Sequence, residues 1–249
     1  MKKSFLVSVL CIGLFAISCK TNVQQRTITK KTNSVLETKQ KYFAEGFSFY
    51  ADNTDENTQL FFKPDSILVL KTPDKILLNE KLNLHDMFKE PMENYLVAGG
   101  FLQIIDSTLE LTKTDKTKAY YYKLQLENKQ YTGYGYNLYD TRINGKWRLT
   151  HMKGSPINPN QENIPYIEID GEKNRLSGQI SCNRIFGPFQ LRGNSIKAGA
   201  IASTLMACQD ILEFAFLRVF DTPESYRIDD TILTITLKNK DTVQFERMP

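Results

Sequence analysis

A chain of 249 residues with 41% hydrophobic and 24% charged content has room for two ordinary domains, each with a core of its own. That balance excludes a disordered or low-complexity polymer. A formal charge of +4, from 32 basic and 28 acidic residues, includes Lys2 and Lys3 at the extreme N-terminus. The remainder is small and scattered, which excludes the clustered basic surface of a nucleic-acid-binding protein.

The chain opens as a targeting segment. Lys2 and Lys3 precede an almost unbroken apolar run, Phe5 to Ile17, and Ala16-Ile17-Ser18-Cys19 places small residues before a cysteine. This is the plan of a lipoprotein signal peptide over residues 1–18, with Cys19 as the lipidated first residue of the mature chain. The alternative is ordinary secretion with Cys19 a bystander. The apolar run is too short for a spanning helix. Lys20 stands where Asp would retain such a protein at an inner membrane, so the expected address is the outer membrane. The expected partners are the membrane itself, through the lipid on Cys19, and an envelope protein. Nothing implies nucleic acid, a metal or a cofactor.

Residues 20–40 are polar, with isolated aliphatics and no period, and read with Cys19 as a flexible tether, 19–40. A β-rich domain is expected over 41–144. Gly46–Tyr50 and Gln59–Phe62 flank the polar loop Ala51–Thr58 as in a hairpin. Strands follow at Ser66–Leu70, Lys75–Leu78, Phe101–Ile105 and Ser107–Leu111, with a short helical turn expected over Leu84–Met92. Tyr120–Leu126 alternates cleanly, and Tyr131–Tyr139 is a second tyrosine-rich strand. Strands this short and this evenly spaced suggest a small antiparallel barrel or sandwich.

Asn144-Gly145 is a two-residue hairpin signal and marks the expected boundary with a second domain, 145–249. Strands are expected there at Lys146–Thr150, Pro165–Asp170, the stretch up to Ile180, Phe189–Leu191, Ser195–Lys197, Tyr226–Ile228, Ile232–Leu237 and Thr242–Phe245. Asp229-Asp230 and Asn239-Lys240 supply turns. After Cys208 no Gly or Pro occurs until Pro223, and Leu212, Phe216, Val219 and Phe220 recur at helical spacing. They predict one helix of about three turns, with Asp210 in its first turn and Arg218 in its last. The fold class is therefore mainly β with one helix.

Two segments of this second half carry a resemblance. Leu176–Phe189 contains Gly178, Cys182, Asn183 and Gly187. Ile201–Phe220 contains Thr204, Met206, Cys208, Glu213, Phe216 and Leu217. In this order they resemble the META domain of heat-shock-type envelope lipoproteins, with Ser181 where that family usually has Gly and Phe189 where it usually has Tyr. The resemblance implies a META-like sheet packed on a single helix and no established activity. The first half more distantly resembles an uncharacterised bacterial lipoprotein domain, through Gly133-Tyr134-Gly135-Tyr136, Asp140-Thr141-Arg142-Ile143 and Trp147. Its opening is degenerate, with Phe49-Tyr50 in place of Phe-Trp. Tyr134 replaces the cysteine of that family, so its disulfide cannot form.

With Cys11 discarded and Cys19 acylated, Cys182 and Cys208 remain. An even pair in an exported domain reads as a disulfide, with two separate buried thiols as the alternative. Candidate chemistry is thin. The two histidines, His85 and His151, fall in different halves, and no Gly-x-Ser-x-Gly, His-Glu-x-x-His or phosphate-binding glycine loop occurs. His85-Asp86 reads as a surface turn. Asp52, Asp55 and Glu56 read as a solvated hairpin tip rather than a calcium loop, which needs a central Gly and a distal Glu. The tyrosines between Tyr120 and Tyr139 offer either an aromatic binding face or alternating strand burial. Three function classes follow: a non-enzymatic envelope lipoprotein that binds a partner or serves envelope stress, a module for a small apolar ligand or glycan, and a hydrolase with an unrecognised site.

Overall fold

Strands form in this chain wherever apolar residues recur at every second position. In β3 (Ile67–Lys71) Leu68 and Leu70 are fully buried between half-exposed neighbours, and in β7 (Tyr120–Leu126) Tyr122 and Leu124 are buried in the same way. The structure, a computed structural model, describes residues 34–53, 56–63, 67–82, 92–106, 120–160, 163–207 and 212–249. The chain divides into two compact units, Met1–Lys39 and Gln40–Pro249. The architecture is mainly β, and both sheets lie in the second unit.

The first sheet comprises β1 (Phe49–Asn53), β2 (Thr58–Phe62), β3, β4 (Ile76–Lys81), β5 (Met92–Val97), β6 (Gly100–Asp106), β7 and β8 (Lys129–Asn137). Its order is β4-β3-β2-β1-β8-β7-β6-β5, two antiparallel meanders joined where β1 pairs with β8. The sheet curls until Phe62 of β2 reaches Tyr95 of β5, with ring centroids 6.1 Å apart, and the Ala98 N–H meets Glu80 of β4 at 2.7 Å. The inner face packs Phe49, Leu60, Phe62, Leu68, Leu70, Leu102, Ile104, Tyr122 and Leu124 into one cluster. Residues 34–44 form a helix, α1, so the tether expected to reach residue 40 ends in helix. Tyr42, from the last turn of α1, stacks on Tyr50 at 4.7 Å on the outer face of the sheet.

The second sheet runs β9 (Gly145–Met152), β11 (Tyr166–Asp170), β12 (Arg175–Ile180), β13 (Asn183–Arg192), β14 (Ser195–Ala198), β16 (Pro223–Asp229), β17 (Ile232–Leu237) and β18 (Thr242–Arg247). It then closes, because β18 pairs back onto β9. Two short strands, β10 (Ser155–Pro156) and β15 (Ala202–Ser203), add to β9 and β13. The expected sheet packed on a helix is thus a closed barrel of eight strands, whose interior is filled by side chains. The helix, α2 (Leu212–Leu217), continues into a 3-10 turn over Arg218–Phe220 and inserts Phe216, Val219 and Phe220 into that core. Phe216 meets Phe245 edge-on at 6.1 Å.

Four expectations are corrected. Asn144-Gly145 is not a hairpin turn: Asn144 lies at φ −63°, only Gly145 has positive φ, and β8 and β9 belong to different sheets. The Asn144 side chain instead accepts from the Gly171 N–H at 2.8 Å. The strand expected over Phe189–Leu191 is longer, since β13 starts at Asn183 and runs through Gly187-Pro188 for ten residues. Pro188 is tolerated because it stands at the end of the β14 pairing, where its carbonyl still accepts from the Gly199 N–H at 3.0 Å and only a terminal ladder bond is given up. The loop expected over Ala51–Thr58 is shorter, since β1 extends to Asn53. Met92, expected at the end of a helical turn, opens β5. The segments Leu84–Pro91 and Ser107–Leu111 lie outside the described residues.

Ser181, in the loop between β12 and β13, has φ +51° and is buried. A left-handed backbone there favours glycine. Ser181→Gly is expected to stabilise the protein by about 0.5 kcal/mol, the relief of left-handed strain net of the added chain entropy of glycine. Urea denaturation measures it. A loss of stability would show that the serine hydroxyl makes a compensating contact.

Candidate functional site

The site builds outward from Asn183, the first residue of β13, which is 1% exposed. Its Nδ2 donates to the Met206 carbonyl at 3.1 Å and to Glu213 Oε1 at 3.0 Å. Its Oδ1 accepts from the Thr204 hydroxyl and from the Met206 N–H, both at 2.8 Å. Because a backbone N–H can only donate, the amide is oriented without ambiguity. Thr204 is itself pinned, as its Oγ1 accepts from the Arg184 N–H and its own N–H donates to the Arg184 carbonyl, both at 3.0 Å.

The structure therefore brings together Asn183, Thr204, Met206 and Glu213, from β13, the segment after β15, and α2. Two N–H donors and two lone pairs are the whole capacity of a carboxamide, and all four are used. Such a group positions chain and has nothing left with which to move a proton. Gly178 and Gly187 are explained by space. A Cβ at Gly178 would lie 2.2 Å from the Tyr166 carbonyl oxygen, and one at Gly187 would lie 2.8 Å from the Ala200 carbonyl oxygen. Cys182 is half-buried beside the Asn183 junction. Cys208, Asp210, Cys19, His85, Asp86 and Asp55 lie outside the described residues.

What the junction presents is apolar. Leu205, between Thr204 and Met206, is 98% exposed; Met206 is 60% exposed and Phe186, three residues along β13 from Asn183, is 48% exposed. Side chains that would ordinarily be buried are thus held in solvent on a segment whose backbone is tied to a buried amide.

Elsewhere the barrel and the first sheet are joined by residues the sequence offered no reason to select. Arg192, at the end of β13, is buried with its guanidinium carbon 5.2 Å from the ring centres of both Phe49 and Phe62. A lone arginine before a Gly-Asn turn carries no sequence signal for that role. Tyr226 donates its hydroxyl to the Gly193 carbonyl at 3.0 Å and accepts from the Asp140 N–H at 2.9 Å. Burial pushes its phenol well above the usual tyrosine range.

Of the tyrosines between 120 and 139, Tyr122 and Tyr131 fill the inner face of the first sheet, and Tyr136 and Tyr139 are also buried. Tyr121 and Tyr134 form a half-exposed cross-strand pair at 5.1 Å. Strand burial thus explains most of this set. Burial raises the Tyr122 phenol to about 12, with the neighbouring Thr58 hydroxyl acting in the opposite sense. His151 sits on β9 against the Thr150 hydroxyl at 3.2 Å. Asp52 accepts from the Tyr50 hydroxyl at 2.8 Å, and Glu56 lies at the tip of the β1–β2 hairpin. Among the described residues, no three His, Cys, Asp or Glu side chains come together as a metal site.

Two grooves accompany these features. One, of about 580 Å³, lies over the outer face of β16 and β17 and is lined by Phe43, Asp140, Arg142, Ser225, Arg227 and Thr234 among others. Its arginines are paired, Arg142 with Asp140 at 2.6 Å and Arg227 with Asp229 at 2.8 Å. The other, of about 400 Å³, lies where α2 meets the barrel rim.

Residues 140–249 match the META domain family. A protein from Burkholderia xenovorans, solved by NMR, is 21% identical over 42% of this chain and 82% of its own length, with a TM-score of 0.36. A second protein solved by NMR is 24% identical over 42% of this chain and 90% of its own, at 0.35. The crystal structure of a DUF4847 family protein from Bacteroides vulgatus is 19% identical over 42% and 92%, at 0.34. No curated protein matches the chain significantly.

Proposed function

On the premise of a META domain over residues 140–249, we propose that this chain is a non-enzymatic envelope lipoprotein, anchored at Cys19 in the outer membrane, which docks an envelope protein through the segment around Leu205. The observation that carries the reading is the Asn183 junction. Four saturated hydrogen bonds hold a segment whose outward side chains, Leu205 and Met206, are apolar and exposed. A rigidly held apolar display lowers the ordering cost of association, which is what a docking surface needs. No helix among the described residues is long and apolar enough to cross a membrane.

The experiment combines anchor and surface. Cys19→Ala is expected to move the protein from the membrane pellet to the soluble fraction. A photo-crosslinking side chain at Leu205, in the anchored protein in intact cells, is expected to yield one discrete adduct with an envelope protein. A Cys19→Ala protein that still pellets removes the anchor, and absence of a discrete adduct removes the docking surface.

The same reading includes a Cys182–Cys208 disulfide. Its support is that Cys182 lies half-buried beside the Asn183 junction, in a chain with export features and an even pair of cysteines left to it. Such a bridge would hold the start of the α2 segment to the β12–β13 turn. Alkylation of native protein without reductant, followed by intact-mass measurement, is expected to leave both thiols unmodified. Two added alkyl groups would show separate thiols.

A further inference from the structure

The groove at the barrel rim combines an apolar floor with positive charge that no ion pair among the described residues compensates. Its floor is Met152 of β9, Leu237 of β17 and Val243 of β18, the last two buried; α2 and the turn after it supply the wall through Phe214, Ala215 and Val219. Phe214 is 80% exposed although it faces a space of about 400 Å³ that its neighbours leave unfilled. Lys153 and Arg218 stand at the rim, and neither forms an ion pair among the described residues. Among the described residues, no carboxylate lines the groove. The adjacent Asp241 is engaged by the Asn239 amide at 2.9 Å.

We propose that this groove binds the acyl chain of an anionic amphiphile, with the tail along Met152, Leu237 and Val243 and the carboxylate or phosphate head between Lys153 and Arg218. An apolar slot lets a tail leave water, and a head of negative charge meets two cations that form no ion pair among the described residues. The size is that of an ordinary small-molecule site. A cationic head would meet repulsion at the same rim, and a neutral polar ligand would leave the floor unused. This site is separate from the Leu205 segment and does not depend on the docking reading.

The test uses the full chain carrying Cys19→Ala, titrated below the critical micelle concentration with dodecanoate and with dodecyltrimethylammonium, which have the same tail and opposite heads. Dodecanoate is expected to bind about tenfold more tightly or better. The double variant Lys153→Glu with Arg218→Glu is expected to invert that order. Ala215→Trp is expected to fill the slot and abolish binding of both, with an unchanged melting curve. Vesicles of phosphatidylglycerol and of phosphatidylcholine separate the two sources of such a ligand. Preferential binding to the former without dodecanoate binding assigns the site to membrane lipid, and the converse assigns it to free fatty acid. Equal affinity for the two dodecyl compounds, binding indifferent to Ala215→Trp in a folded protein, or binding of neither dodecanoate nor phosphatidylglycerol overturns the proposal.

Discussion

Asn183→Ala is expected to destabilise the barrel by about 2–3 kcal/mol, because it removes four hydrogen bonds made from a residue only 1% exposed. The cost stays below the sum of four fully buried bonds. Met206 is on the surface, and its N–H and carbonyl can turn to water once the amide is gone. The melting midpoint is expected to fall by about 5–10 °C. Two comparisons make the result specific. Glu213→Gln keeps an acceptor for the Asn183 Nδ2 and is expected to be close to neutral. In a double-mutant cycle, Asn183→Ala and Glu213→Ala are expected to couple by about 1 kcal/mol, whereas distant pairs add. A fall below about 1 kcal/mol for Asn183→Ala, or additivity in the cycle, would show that the junction is decorative and that the Leu205 segment is held by something else.

Trp147→Ala is the larger perturbation, with an expected loss of about 3–5 kcal/mol. Trp147 is fully buried in the barrel core, and its indole N–H donates to the Ile143 carbonyl at 2.7 Å. The Arg247 guanidinium lies 4.1 Å from the ring centre and also reaches back to the Asn144 and Arg142 carbonyls. One side chain from β9 and one from β18 thus fasten the 141–144 connection to the barrel where it closes. Removing the indole creates a cavity, orphans the Ile143 carbonyl and takes away the surface on which Arg247 is laid. Trp147→Phe, which keeps most of the volume and loses the N–H, is expected to cost about 1–3 kcal/mol. Trp147 is the sole tryptophan of the chain, so its replacement is followed by circular dichroism rather than fluorescence. A loss under about 2 kcal/mol for Trp147→Ala would mean that the connection is held mainly by Tyr226 and Asn144.

The strand positions were written locally. Alternation alone placed β7 and β17 to the residue, and placed β18 to within two, because a half-buried strand must show a period of two. The turn residues were legible for the same reason: Asp230 and Lys240 carry positive φ where Asp229-Asp230 and Asn239-Lys240 announced a reversal. The motif residues Asn183, Thr204, Met206 and Glu213 were also visible in the sequence, but only as a resemblance. Nothing in their spacing says that they converge.

Convergence and closure belong to the tertiary structure. The pairing of β18 with β9 joins Phe245 to Leu149 across nearly a hundred residues, and a period of two names a face without naming a partner. The course of β13 through Gly187-Pro188 was hidden because proline reads as a break, and only its place at the end of the β14 pairing makes it harmless. Asn144-Gly145 had the composition of a hairpin, yet Asn144 spends its side chain on Gly171 and the strands on either side leave for different sheets. Arg192 lies against Phe49 and Phe62, and Lys153 stands at the same groove as Arg218, because distant segments were brought within reach. Local chemistry decided which residues extend and where the chain turns; the placement of buried polar groups and of the charges at the groove was decided by contacts that exist only once the barrel has closed.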